Sequence, residues 1–218
     1  MVFYKSFTAP PYNEPEILRY AGCREESGDI RKLLDECRQE LDGKLSFKVC
    51  WMPLTVKTAG EVCDFGVLRV SSKALARNLD GCTEAVLFAA TVGVGIERLT
   101  AKYGTRSPAK ALLFDAIGTE RIESLCDAFC AELERERELP LKPRFSPGYG
   151  DLPLAVQKDI FSLLDCQKRI GLTVTDSLMM SPSKSVTAIA GFASLPCKTA
   201  RPKCAACGKT DCAFRSSL

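Results

Sequence analysis

Two stretches of this chain concentrate side chains able to do chemistry. Residues 144–151 read RFSPGYGD. Arg144 offers a planar fork of donors that matches a carboxylate through two parallel charge-assisted hydrogen bonds. Tyr149 offers a flat face to a heterocycle and one hydroxyl for a hydrogen bond. Between them Pro147 stiffens the turn, and Gly148 lets backbone groups approach a ligand closely. The combination suits a small molecule carrying both an α-carboxylate and an aromatic base. A rigid connection between two helices, with the tyrosine packed inward, accounts for the same residues without a ligand. Residue types alone leave both readings standing.

The second stretch is PCKTARPKCAACGKTDCAFR, in which Cys197, Cys204, Cys207 and Cys212 crowd together among Lys, Arg, Gly and Pro. Cys204 and Cys207 form a Cys-x-x-Cys knuckle, and Gly208 permits the tight turn that aims both sulfurs at one point. Few apolar residues are available here to build a core, so a metal centre held by four thiolates is the force that would order the segment. Arg201, Lys203 and Lys209 would favour thiolate over thiol. The spacing fits tetrahedral zinc and an iron–sulfur cluster equally. A reduced tail without metal is the plain alternative.

Composition bounds what else is possible. The chain has 218 residues, 46% hydrophobic and 26% charged, which suits an ordinary globular protein with a sizeable core. A net charge of +3 is too small to argue for nucleic acid or a membrane surface. The N-terminal sequence lacks the apolar core of a secretory signal, and no run approaches a transmembrane length. The cytoplasm is the expected location, where most thiols stay reduced, so the 12 cysteines are not read as a disulfide framework. Histidine is absent. That excludes Ser-His and Cys-His nucleophile pairs, an imidazole base and histidine metal ligands.

The elements that must carry these residues follow from pattern. Asn13-Glu14-Pro15 reads as a helix start and Gly22 as its end. Ile30, Leu33, Leu34, Cys37 and Leu41 make one helical stripe. LSFKVCW alternates, with Leu45, Phe47, Val49 and Trp51 on one face of a strand. FGVLRV (65–70) and AVLFAATVG (85–93) read as further strands, with a short helix around Lys73–Leu79 between them. Ser107-Pro108 opens a helical pattern that runs to Pro140, its apolar stripe formed by Ile122, Leu125, Phe129 and Leu133. A second long helix is expected from Pro153 to Gly171, then two strands, LTVTDS and SVTAIAGF, joined by MMSPSK. This mixture predicts an α+β fold: a twisted, largely antiparallel sheet with flanking long helices. Two units are expected, 1–195 and a cysteine-rich metal-binding tail, 196–218. Gly93 and Gly95 in TVGVGIERL hint at dinucleotide binding, but position 98 is Arg, and a tight strand-to-helix turn explains them better. Cys126 and Cys130, four apart on one helix, and the scattered Cys23, Cys37, Cys50, Cys63, Cys82 and Cys166 read as small buried hydrophobes.

From Arg144 to Phe192 the sequence resembles the activation domain of cobalamin-dependent methionine synthase. The resemblance rests on the Arg-x-x-Pro-Gly-Tyr turn, the helix after it, the Gly-Leu-Thr-x-Thr-Asp-Ser segment (171–177) and Pro-Ser-x-Ser-Val (182–186). Weaker likeness extends through EILRYAG (16–22) and VLFAATVG (86–93). The resemblance implies a domain that binds S-adenosylmethionine and rescues enzyme whose cobalamin has been oxidised to the inactive cob(II) state. One electron makes cob(I), which methyl transfer then traps as methylcobalamin. It implies that Arg144 meets the ligand carboxylate, while the backbone around Ser146 and Gly148 and the Tyr149 side chain hold the nucleoside. Where the family's loop continues through proline and small residues after the tyrosine, this chain has Gly150-Asp151-Leu152-Pro153.

No cobalamin-binding module is recognised, and the chain has no histidine to offer cobalt, so cobalamin would come on a partner methionine synthase or corrinoid protein. A flavodoxin or ferredoxin is the implied electron donor, unless an iron–sulfur centre on the tail serves that role. Two alternatives remain: a docking subunit with structural zinc, and an S-adenosylmethionine-binding sensor.

Overall fold

The computed structural model describes residues 1–23 and 27–193. The chain begins with an edge strand, β1 (Phe3–Ser6), followed by α1 (Glu14–Tyr20) and α2 (Gly28–Leu41). Asn13 caps α1 through its side chain, which accepts from the Glu16 N–H, and Pro15 sits in the first turn. Ser27 caps α2 in the same way through the Ile30 N–H. Then come β2 (Lys48–Thr55), β3 (Lys57–Ala59), β4 (Val62–Asp64), β5 (Arg69–Ser71) and α3 (Lys73–Asn78). β6 (Glu84–Thr91), α4 (Gly95–Tyr103) and α5 (Pro108–Arg137) follow, then α6 (Val156–Leu164) and α7 (Cys166–Ile170). The last described elements are β7 (Thr173–Val174), β8 (Met180–Ser181) and β9 (Ser185–Gly191).

The central sheet has the order β1-β2-β6-β9, with every pairing antiparallel. β3, β4 and β5 form a small second sheet, and β7 pairs with β8. The α+β expectation holds.

Each face of the central sheet has its own core. Phe47, Val49, Val86 and Phe88 meet Ile122, Leu125, Phe129 and Leu133 of α5. On the other face Cys50, Met52, Leu54, Leu87 and Ile189 meet α6, α7 and the small sheet. The alternation read in LSFKVCW is therefore the division between two cores. β6 is buried on both faces, which is why its sequence shows no alternation. A third core joins α1, α2, α4 and the first half of α5.

Three expectations need correction. The FGVLRV strand shrinks to Arg69–Ser71, because Gly66 takes a left-handed turn (φ 79°) that the Asp64 carboxylate holds through the Gly66 N–H (2.8 Å). The helix expected from Pro153 to Gly171 is two helices, broken where Asp165 turns left-handed (φ 50°) between Leu164 and Cys166. The strand expected over LTVTDS shrinks to Thr173–Val174. β7 folds onto β8, while β9 crosses to β6 in the central sheet.

Candidate functional site

Residues 141–145 run antiparallel along the outer side of β9. Phe145 exchanges both backbone hydrogen bonds with Ile189 (2.9 Å each), the Lys142 N–H donates to the Gly191 carbonyl, and Leu141 bridges Phe192. The sheet edge therefore fixes the entry to the RFSPGYGD loop. Its exit is fixed by Asp151, an acceptor across the start of α3. The Ser72 hydroxyl donates to one carboxylate oxygen (2.5 Å), and the N–H groups of Lys73 and Ala74 donate to the pair (2.8 and 3.1 Å). The hydrogen bond from Ser72 and those from the helix N–H groups favour the ionised form and depress the Asp151 pKa to about 2. Asp151 is thus the loop's anchor.

Inside the loop the backbone closes on itself. The Gly148 N–H donates to the Leu152 carbonyl (2.9 Å) and the Tyr149 N–H to the Ser146 carbonyl (3.0 Å). Gly148 has φ 88°, which is why a glycine stands there. Pro147 is buried and Ser146 half-buried. Tyr149 is 59% exposed, its ring edge-on to Phe145 with centroids 6.1 Å apart. The alternative in which the tyrosine packs inward is not what the fold does: the ring faces outward.

The Arg144 side chain is only 18% exposed and lies along α5, donating to Glu123 (2.6 Å) and Asp127 (2.5 Å). Burial alone would lower its pKa; the anionic neighbours Asp127 and Glu123 outweigh that and hold it above the ordinary arginine value. Cys126 and Cys130 lie beside it on the same helix, and burial pushes both thiols up, so they stay neutral. This agrees with their reading as small hydrophobes. Tyr20, at the end of α1, belongs to the same neighbourhood: burial first, then Glu123, raises its pKa, and the Arg19 guanidinium lies 4.3 Å from its ring centre. Sequence reading did not find Glu123 and Asp127. Their four-residue spacing on one helix face was the available signal, but nothing local pointed it at Arg144.

The loop thus brings together a braced guanidinium, an outward aromatic ring and acidic side chains of α5. Such a surface can take a zwitterion bearing a flat base: the carboxylate by Arg144, the cationic end by a carboxylate, the base by Tyr149.

Residues 142–195 match the family model for the vitamin B12 dependent methionine synthase activation domain. The matched segment contains the whole loop, α6, α7 and β7 to β9. Among solved structures, the crystal structure of the MetH reactivation domain bound to AdoHcy is similar to this chain at a TM-score of 0.64 and 14% identity. That likeness covers 88% of this chain and 78% of the other, and it shows a shared fold. No curated protein matches the chain in sequence.

Gly93 and Gly95 form a strand-to-helix turn: a side chain on Gly95 would collide with the Lys44 carbonyl oxygen. Cys37, Cys50, Cys63, Cys82 and Cys166 are buried, Cys23 is half-buried, and all are free thiols. Cys197, Cys204, Cys207 and Cys212 lie outside the described residues. Among the described residues no group of three or more His, Cys, Asp or Glu side chains could hold a metal ion. Among the same residues, no helix is long and apolar enough to cross a membrane.

Proposed function

We propose that this chain reductively activates, in trans, a cobalamin-dependent methionine synthase or related corrinoid methyltransferase, using S-adenosylmethionine as methyl donor. The observation that carries the reading is the coincidence of the family match with the braced Arg144–Tyr149 loop. Arg144 takes the carboxylate of S-adenosylmethionine through its fork, and Tyr149 covers the nucleoside. Asp151 and the pairing with β9 hold the loop still, so that binding does not have to order it.

The balance of the reaction is simple. One electron reduces cob(II) on the partner to cob(I); methyl transfer from the sulfonium then gives methylcobalamin and S-adenosylhomocysteine. Cys197, Cys204, Cys207 and Cys212 would hold an iron–sulfur centre through which that electron passes, because zinc in the same ligands is redox-silent. Flavodoxin or ferredoxin would reload it.

The test is anaerobic purification followed by a cob(II) remethylation assay with a corrinoid methyltransferase, a reductant and S-adenosylmethionine. Brown protein containing iron and acid-labile sulfide, with methylation that depends on the chain, is the expected result. Colourless protein with one zinc and no methylation would overturn the redox reading and favour a docking subunit.

A further inference from the structure

Helix α5 covers the central sheet only as far as Leu133. Beyond it, among the described residues, an apolar groove of about 270 Å³ stays open across the strands, lined by Phe3, Trp51, Pro53, Val86, Leu133 and Phe192. The lining is aromatic at both ends. Phe3 stacks on Trp51 with centroids 5.7 Å apart, and the Arg137 guanidinium lies 5.7 Å from the centre of the Phe192 ring. An uncovered cleft of this kind on a sheet face is an energetic liability unless something fills it.

The chain itself supplies the candidate. Phe192 forms one rim, the next residue, Ala193, is tied to the Pro140 carbonyl (2.9 Å), and residues 194–218 continue from that point. That segment starts at the groove, so almost no loop need be closed to bring it back. It carries Leu195, Phe214 and Leu218 as apolar side chains. Its charge is also complementary. Lys198, Arg201, Lys203, Lys209 and Arg215 stand against Asp211 alone, while residues 132–138, at and just past the end of α5, set four glutamates against two arginines, with Glu136 and Arg137 both on the groove wall.

We infer that residues 194–218 dock along this groove, with Leu195 and Phe214 as apolar anchors, presenting Cys197, Cys204, Cys207 and Cys212 on the α5-terminal end of the sheet. The inference does not depend on what the thiolates bind, or on S-adenosylmethionine. It makes the groove the seat of the cysteine segment.

Trp51 is the one tryptophan of the chain and lines the groove, so its emission reports occupancy directly. In the full chain, Trp51 should emit to the blue of exposed indole and resist acrylamide quenching. Leu195→Ser/Phe214→Ser should lower the docked-to-undocked ratio about a hundredfold, giving a red shift and full quenching. A chain ending at Ala193 retains all three cores; it should behave as the double variant does, and a peptide of residues 194–218 added to it should restore the blue emission. Identical emission and quenching in all forms would overturn the inference. So would shielding that vanishes on dilution in every form, which would assign the groove to a second copy of the chain.

Discussion

The Arg144 guanidinium lies between two carboxylates of one helix face, Glu123 at 2.6 Å and Asp127 at 2.5 Å. The cation is poised but already engaged. A ligand carboxylate must therefore displace one acidic side chain, and Asp127, 62% exposed against 42% for Glu123, is the easier to displace. With its carboxylate 62% exposed, the Asp127 pair is worth about 1 kcal/mol. Asp127→Asn removes that competitor and should tighten S-adenosylmethionine binding by about fivefold, measured by calorimetry, with little change in thermal stability.

Asp151 gives a pH dependence whose sign follows from its depressed pKa. The native value of about 2 lies below the ordinary 3.8, so the stabilisation is fully present above the unfolded value and is lost as pH falls from about 4 to about 2. Asp151→Ala should therefore melt at a lower temperature than wild type at pH 7, and the two melting curves should converge as pH approaches 2. Calorimetric melts across that range check it.

A buried ion pair fixes the N-terminal segment to α5. Glu120 and Arg121 are 2% and 1% exposed and joined at 2.6 Å, while Arg121 also donates to the carbonyls of Pro10 (2.5 Å) and Pro11 (2.7 Å). The Tyr12 ring stacks 4.0 Å from the guanidinium. Among the described residues, Arg121→Ala leaves the Glu120 carboxylate buried with hydrogen bonds from only Ser124 and the Asn13 N–H, and should cost about 3–5 kcal/mol in urea denaturation. Glu120→Gln/Arg121→Met, which removes both charges, should recover part of that loss.

Much of this architecture is legible in the chain because caps and periodicity are local. Asn13-Glu14-Pro15 and Ser107-Pro108 mark helix starts where the structure has them, and the apolar run of β6 marks the sheet's centre. The α5 stripe of Ile122, Leu125, Phe129 and Leu133 packs as read. What escaped was decided by tertiary context. Three-residue strands such as β3 and β4 are too short to show a period, and the break at Asp165 carries no proline or glycine. The loop's residues were legible as a candidate site; its braces were not. Glu123 and Asp127 reach Arg144 from 21 and 17 residues away, and Ser72 reaches Asp151 from 79.

Gly95 shows how a suggestive motif resolves into packing. A Cβ there would strike the Lys44 carbonyl oxygen and crowd Leu45. Gly95→Ala should destabilise the fold by about 1–3 kcal/mol through overpacking, measured by urea denaturation, and should leave S-adenosylmethionine affinity intact.

In the proposed function, Arg144 and Tyr149 together seat S-adenosylmethionine. Isothermal titration of S-adenosylmethionine into the full chain, wild type beside Arg144→Ala, decides whether they do. Loss of one charge-assisted bidentate contact should weaken binding by about tenfold to a hundredfold in the variant, with circular dichroism unchanged. Wild-type protein that takes up no ligand, or a variant that binds as tightly as wild type, would contradict the account.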